Sequence, residues 1–393
     1  MERSYTDLKW LEEETELKLE ILEPGFAIRP IIQPATWLYD FQVGWLEDDG
    51  SLIFHDIGGQ GEPGWDPEKG HGSTWRLYPD DRLECLVPPG SSGRAMIMSA
   101  FKSPASFGEE YGEQVFVLGQ LRPGRNGAHD THGVFWLQPG APTVEIYAVA
   151  GDSGVLNNGK SGALVSPGWG ADGTPEEGYL FVVSMFNCTM YKVDKYRRIW
   201  PWVVGDGEHG TPQFMPREVF RAPAEWGEHE GELIVSGVLD HHFGKPAPKP
   251  GDPPLVERHV RFKATDNGDG VPATLELIDE ELPIPINMRY GTGRTAPDSF
   301  GPFGGHVFRT TLGSVNLMQT TMMPDGALPY DAQILRVDED GNEHVFADKL
   351  QAGYASLIFQ GDRMLLGRIG KSYSTGDFHY PDGSLYEIKY VGD

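Results

Sequence analysis

Hydrophobic and polar residues alternate over short stretches along most of the chain, and a period of two is typical of β-strands with one buried face. The alternation is clear at residues 385–390 and 332–337. The second stretch is followed by an Asp-rich turn at 338–341 and a further apolar stretch at 344–346, which is typical of a hairpin. Helical periodicity is weak. The pattern therefore predicts an all-β protein.

A repeat of roughly sixty residues organises these stretches, and periods of this size are typical of repeat architectures. Three copies share a proline, an aromatic residue three positions later, a glycine directly after it, and a second glycine four positions further on. Those copies start at Pro104, Pro223 and Pro297, and each continues into an apolar stretch. A looser copy starts at Pro167, and weaker ones start near Ile31 and Tyr354. The sequence thus contains six units.

Six units of this kind predict a six-bladed β-propeller with four-stranded blades, formed as a single domain by residues 1–393, because radial repetition leaves no long open sheet edge. The sixth unit ends after its third strand, at 384–390. The N-terminal segment 16–22 alternates and precedes the first unit, so it is predicted to be the missing outer strand that closes the last blade. A pair of β-sandwiches is the alternative architecture.

One rim of such a propeller is the better candidate for a functional site. The start of each first strand and the loop between second and third strands share this rim, named here the loop rim. Those loops vary most in length, and variable loops on a rigid scaffold often carry function. The long ones span 56–73, 119–133, 239–258, 310–331 and 368–382. The opposite rim, named the turn rim, has mostly short turns such as 47–50.

Six of the twelve histidines fall in these loops, namely His71, His129, His132, His241, His242 and His379. His129 and His132 flank Asp130, and Asp240 directly precedes His241 and His242. Imidazole can act as an acid–base group near neutral pH or as a metal ligand. The catalytic residues predicted are therefore these four histidines, with the two aspartates orienting them. The alternative is that the histidines are surface groups in contact with solvent only.

Asparagines near the starts of two first strands are further candidates for metal ligands. Asn157 and Asn158 precede the first strand of unit three, and Asn287 lies near the start of unit five. Oxygen ligands suit calcium, whereas ligation by His132 and His241 suits a transition metal. An Asn-Gly turn is the alternative for the asparagines. The segment 266–270 looks like a calcium loop but lacks the spacing of an EF-hand, so a hairpin turn is predicted there.

Several blade motifs carry a family resemblance. The segments 299–308, 331–341, 345–347 and 381–388 resemble the six-bladed SMP-30/gluconolactonase-like propellers and their strictosidine-synthase and NHL-repeat relatives. The resemblance implies a divalent cation, often calcium, in the central channel, held by a glutamate and Asn/Asp side chains, and hydrolysis of a lactone or phosphoester. Asn158 matches the family's Asn-Gly ligand. The chain departs from the family at 26–37, which contains no acidic residue, and at 210–212, which contains no aspartate.

Charge and composition limit the kinds of partner that the chain is expected to bind. The chain has 58 acidic and 32 basic residues, a formal net charge of −26, and such a field repels phosphate backbones and anionic lipid. Neither nucleic acid nor a membrane surface is therefore expected as a partner. The two cysteines, Cys85 and Cys188, exclude a disulfide framework and leave a single bridge open. With no signal-like or membrane-spanning apolar stretch in view, a cytoplasmic location is expected.

These observations lead to a hypothesis with two alternatives. The leading one is a metal-dependent hydrolase, lactonase- or esterase-like, or a lyase, acting on a neutral small molecule at the mouth of the central channel. A propeller that binds a ligand or a protein without catalysis is the second. A metal-free cyclase or condensing enzyme is the third. The sequence leaves the substrate, the metal and the oligomeric state open.

Overall fold

A computed structural model describes most of the strands and few of the long loops. The described residues are 17–34, 36–39, 41–56, 72–88, 95–121, 131–137, 144–149, 164–170, 173–184, 188–205, 207, 213–222, 228–239, 256–280, 284–285, 294–311, 330, 332–338, 340, 342–351, 356–368, 381 and 383–392. They form six antiparallel sheets arranged as a six-bladed propeller, and no α-helix occurs among them. The predicted all-β propeller fold is confirmed.

The strands follow one another in chain order. Two N-terminal strands come first, β1 (Glu20–Ile21) and β2 (Phe26–Ile32). Blade one contains β3 (Gln42–Leu46), β4 (Leu52–Asp56), β5 (Ser73–Leu77) and β6 (Leu83–Val87). Blade two contains β7 (Ala95–Lys102), β8 (Val115–Leu121), β9 (Thr131–Leu137) and β10 (Val144–Val149). Blade three contains β11 (Leu164–Trp169), β12 (Tyr179–Ser184), β13 (Thr189–Asp194) and β14 (Ile199–Val204).

The remaining blades repeat this order. Blade four contains β15 (Phe214–Arg221), β16 (Leu233–Leu239), β17 (Val256–Thr265) and β18 (Thr274–Glu280), with β19 (Ile284–Pro285) paired to β17. Blade five contains β20 (Arg294–Thr295), β21 (Val307–Thr310), β22 (Ala332–Val337) and β23 (Glu343–Leu350). Blade six contains β24 (Ser356–Gln360), β25 (Arg363–Arg368) and β26 (Ser384–Tyr390). First strands of several neighbouring blades contact one another, which places them innermost.

The strand that closes blade six differs from the predicted one. Closure by the N-terminus is confirmed, but the closing strand is β2, which pairs with β26 from Phe26↔Tyr390 to Ile32↔Leu385. The predicted segment 16–22 contributes only β1, which pairs with β23 and extends blade five. Both segments alternate, so periodicity alone could not separate them. Residues 26–37 also do not form blade one's first strand, which is β3, a short strand that again contains no acidic residue.

The hydrophobic core lies between neighbouring blades. Its clusters fill the contacts of blades two with three, three with four, five with six, and six with one. Two aromatic residues of the repeat motif are fully buried between first and second strands: Phe107 ends a 3₁₀ turn, and Phe300 directly precedes one. Gly301 follows Phe300 with φ +58°, and a Cβ there would lie 2.4 Å from Cγ of Tyr390. The glycine is therefore required by both conformation and space.

Two further expectations concern cysteines and membranes. Cys85 is exposed on β6 and Cys188 is buried beside β13, and no disulfide joins them. In the part of the chain that the structure describes, no helix has the length and apolar character needed to cross a membrane.

Candidate functional site

The strand order determines where the predicted histidine loops begin and end. In blade two, β8 ends at Leu121 and β9 begins at Thr131; in blade four, β16 ends at Leu239 and β17 begins at Val256. Both gaps are connections between a second and a third strand, so their strand ends share the loop rim. His132 is the second residue of β9, where it pairs in register with Gln120.

The other predicted site residues lie outside the described residues. They are His129, Asp130, Asp240, His241, His242, Asn157, Asn158 and Asn287. Their roles therefore stay predictions. Within the described ranges, no group of three or more His, Cys, Asp or Glu residues is arranged to hold a metal ion.

Four buried polar residues occupy the loop rim where blade six meets blade one. Asp56 ends β4, Ser73 begins β5, Arg368 ends β25 and Ser384 begins β26. We call these four residues the rim cluster; each is at most 1% exposed. Asp56 pairs in register with Ser73, and Arg368 pairs with Ser384. A carboxylate and a guanidinium are thus buried at the bases of two of the five long predicted loops.

The segment between β2 and β3, residues 33–41, holds this cluster in place, and we call it the rim connector. The backbone N–H of Tyr39 donates to Oδ1 of Asp56 at 3.1 Å. The N–H of Phe41 donates to the carbonyl oxygen of Arg368 at 3.1 Å, and the N–H of Gly383 donates to that of Leu38 at 2.9 Å. The connector therefore bonds to the main chain of blade six at the end of β25 and just before the start of β26. It also bonds to the carboxylate of Asp56 in blade one.

Close packing beneath the connector makes its position specific. The ring of Phe41 is fully buried against Gly367, where a Cβ would lie 1.9 Å from Cδ1 of Phe41. Ser356 donates its hydroxyl to the carbonyl oxygen of Phe41 at 3.2 Å. Interiors packed at this density tolerate little added volume. Phe41 is consequently held at a defined position against blade six.

A second layer of polar side chains lies one residue below the rim. His55 is fully buried, and its Nδ1 lies 3.2 Å from Oγ1 of Thr74. Nearby, the indole N–H of Trp75 donates to Oγ of Ser73 at 2.7 Å. The ring of Trp37 lies 4.5 Å from that of Trp75. Buried polar groups need such partners, since a lost hydrogen bond in an apolar interior costs about 1–3 kcal/mol.

The chemistry available to the rim cluster follows from its charges. A buried carboxylate can accept a proton or a hydrogen bond, and a buried guanidinium can donate to a carbonyl or an oxyanion. Burying ionised groups is costly, so they occur where structure or function retains them. Sequence reasoning missed these residues. The signal was a charged residue ending an otherwise apolar strand, at 52–56 and at 364–368.

Comparison with known proteins gives similarity to solved structures only. No family model matches the chain, and no curated protein matches it significantly. An α-L-arabinofuranosidase from Fusarium graminearum is 11% identical, with 93% of this chain and 98% of that chain covered and a TM-score of 0.48. The soluble aldose sugar dehydrogenase of Escherichia coli is 9% identical, with 93% and 99% covered and a TM-score of 0.42.

A presumed gluconolactonase is also among the similar structures. It is 11% identical, with 94% of each chain covered and a TM-score of 0.41. Sequence identities of this size concern the fold of the chain and leave its activity open.

Proposed function

We propose that the chain is an enzyme that cleaves a neutral small molecule at the loop rim, as a metal-dependent hydrolase of the lactonase or esterase type, or as a lyase. One observation carries this proposal. The ends of the strands that flank both His/Asp loops lie on the same rim as the buried Asp56 and Arg368. Enzymes commonly assemble their sites from loops that meet on one face of a rigid scaffold.

In this proposal the histidines move protons and the aspartates orient them. His129, His132, His241 or His242 acts as the base, and Asp130 and Asp240 hold the imidazoles in the required tautomer. Arg368 offers a fixed positive charge and Asp56 a hydrogen-bond acceptor at the edge of the same site. A neutral substrate agrees with the formal charge of −26, which disfavours anions near the surface.

The residues proposed to hold a divalent metal are Asn157, Asn158 and Asn287, together with His132 and His241. Oxygen ligands would favour calcium, and the imidazoles would favour a transition metal. When bound, the metal would supply a Lewis acid that polarises a carbonyl or lowers the pKa of a water molecule.

The test combines elemental analysis of the purified protein with hydrolysis assays on a panel of uncharged lactones and esters. We expect a bound divalent metal, loss of turnover on chelation, and a loss of about 100-fold or more in kcat/KM in His132→Ala and His241→Ala. The control is His344→Ala, because His344 lies at the turn rim with Nε2 2.8 Å from Oδ2 of Asp338. This control should keep its activity.

Other results would contradict the proposal. Protein without metal, unaffected by chelation, that binds small molecules without turnover would be a binding propeller. Hydrolysis that survives chelation and metal removal would instead show that the reaction needs no metal.

A further inference from the structure

The turn rim of the junction between blades six and one contains an ion-paired network that joins segments far apart in the chain. It consists of Arg29 on β2, Asp81 in the turn after β5, Arg363 on β25 and Glu387 on β26, and we call it the latch. Arg29 donates from Nε and Nη2 to the two oxygens of Glu387 at 2.8 and 2.9 Å. Nη2 of Arg29 also lies 2.8 Å from Oδ2 of Asp81.

Arg363 is the buried centre of the latch, with a side chain only 5% exposed. It donates from Nη1 to Glu387 at 2.7 Å and to Asp81 at 2.5 Å. It also donates from Nη2 to the carbonyl oxygen of Tyr78 at 3.3 Å. Nε2 of Gln360 donates to the carbonyl oxygens of Gly50 and Leu77 at 2.8 and 3.0 Å. Blade six therefore bonds to both turns of blade one at this rim.

One continuous segment links the latch to the rim cluster. Residues 26–41, named here the strap, comprise β2 and the rim connector. Arg29 of the strap contributes to the latch, and Tyr39 and Phe41 of the strap bond to Asp56 and Arg368 on the opposite rim. The same segment thus makes ion pairs at one rim and positions buried charges at the other.

The backbone ladder of β2 runs along one edge only, because β2 is the outermost strand of its sheet and pairs with β26 alone. The ladder is also interrupted, since the register shifts between Pro30 and Ile32 and proline has no N–H to donate. An outer strand with a single ladder depends on side-chain contacts for much of its stability.

We propose that the strap couples the two rims of this junction, so that the latch at the turn rim determines how firmly Asp56 and Arg368 are positioned at the loop rim. This inference concerns the order of the rim cluster and does not depend on the reaction proposed above. The strap is the physical connection, because the same segment makes hydrogen bonds at both rims.

The test is hydrogen–deuterium exchange of the intact chain carrying Asp81→Asn. Asp81 lies outside the strap and has φ +68°, a conformation that asparagine also adopts readily, so the substitution removes charge while keeping the turn. We expect amides of residues 37–46, including those of Tyr39 and Phe41, to exchange about tenfold faster. Exchange across 189–194 of blade three should be unchanged.

Asp362→Asn is the matched control. Asp362 lies at the same rim, and its Oδ2 is 2.8 Å from Nζ of Lys389 in the same blade. This variant should exchange like the parent chain at 37–46. Arg29→Gln provides a second variant on the strap itself and should reproduce the effect of Asp81→Asn.

Two outcomes would overturn the proposal. In the first, faster exchange in Asp81→Asn is confined to 26–30 and 78–82 while 37–46 stays protected. In the second, exchange rises equally in all blades, which would mean general destabilisation rather than coupling between the rims.

Discussion

Two junctions between neighbouring blades of this propeller each contain a buried cation, but the groups that surround the two cations differ. Where blade three meets blade four, the buried cation is Lys192, which is 1% exposed and donates to Oδ2 of Asp266 at 2.5 Å. At the turn rim where blade six meets blade one, the buried cation of the latch is Arg363, and Arg368 is buried at the loop rim of the same junction. Lys192 lies 3.8 Å from the ring centroid of Tyr179, whereas Arg363 is surrounded by hydrogen-bond acceptors.

The partners of the two cations also differ. At the junction of blades three and four, Asp266 accepts a second bond from the indole N–H of Trp202 at 2.9 Å. Asp269 of the same turn accepts from the hydroxyl of Tyr179 at 2.8 Å and from Nη2 of Arg198 at 2.7 Å. The turn at 266–270 is therefore structural, as predicted, and contacts the preceding blade.

The difference follows from connectivity. Blades three and four are consecutive in sequence, whereas the latch joins Arg29 and Asp81 near the N-terminus to Arg363 and Glu387 near the C-terminus. The bonds that close the ring must offset the conformational entropy that is lost when the two ends of the chain are brought together. Arginine can make several directed hydrogen bonds at once, which lysine cannot. The junction that closes the ring uses the more directional cation.

The largest expected difference is in stability. Arg363→Met leaves Glu387 buried with less compensation, and removing one partner of a buried ion pair costs about 3–5 kcal/mol. Lys192→Met leaves Asp266 bonded to Trp202 and partly exposed, so a loss of about 1–3 kcal/mol is expected. Urea unfolding at neutral pH measures both. An equal or reversed ranking would contradict the comparison.

A smaller expected difference is in the pH dependence of stability. Burial would raise the pKa of Asp81, but hydrogen bonds from Arg363 and Arg29 outweigh burial, and the pKa lies below its usual value. Its contribution is thus present above the unfolded pKa of about 3.9 and is lost as the pH falls through the lowered value. Asp81→Asn should flatten the acid limb of a stability–pH profile.

The alkaline limb of the same stability–pH profile should depend on the junction of blades three and four. Burial, with the hydrogen bond to Asp269, raises the pKa of Tyr179 to about 12. Its contribution is present below the unfolded pKa of about 10 and is lost as the pH rises through the raised value. Tyr179→Phe should flatten the alkaline limb and leave the acid limb of Asp81 in place. An unchanged alkaline slope would show that this tyrosine does not couple folding to pH.

Local patterns were sufficient to predict the six blades but insufficient to predict the closure. The strand predicted from alternation at 385–390 and the hairpin of β22 and β23 are confirmed, although 384–388 are buried on both faces and not on one. The choice between 16–22 and β2 depends on packing with blade six, which lies at the far end of the chain. Phe26, for example, packs 5.2 Å from both Phe300 and Tyr390.

The candidate site, like the closure of the ring, could be predicted from local patterns only in part. The strand order supports the prediction of one loop rim, because it follows from blade topology. The charged residues that end β4 and β25 were visible in the sequence, but not the hydrogen bonds that Tyr39 and Phe41 make to the carboxylate of Asp56 and to the main-chain carbonyl of Arg368. The roles of His129, His132, His241 and their neighbours stay predictions for the experiments above.

The central claim is that β2, rather than residues 16–22, closes the ring. Cysteine pairs test it directly, because facing residues of antiparallel strands lie within disulfide reach. In a chain carrying Cys85→Ser, Ala27→Cys with Lys389→Cys should form an internal disulfide detectable by mass spectrometry, since Ala27 and Lys389 are register partners. Glu20→Cys with Lys389→Cys should not, because Glu20 pairs with Asp348. A disulfide in the second pair and none in the first would contradict the closure described.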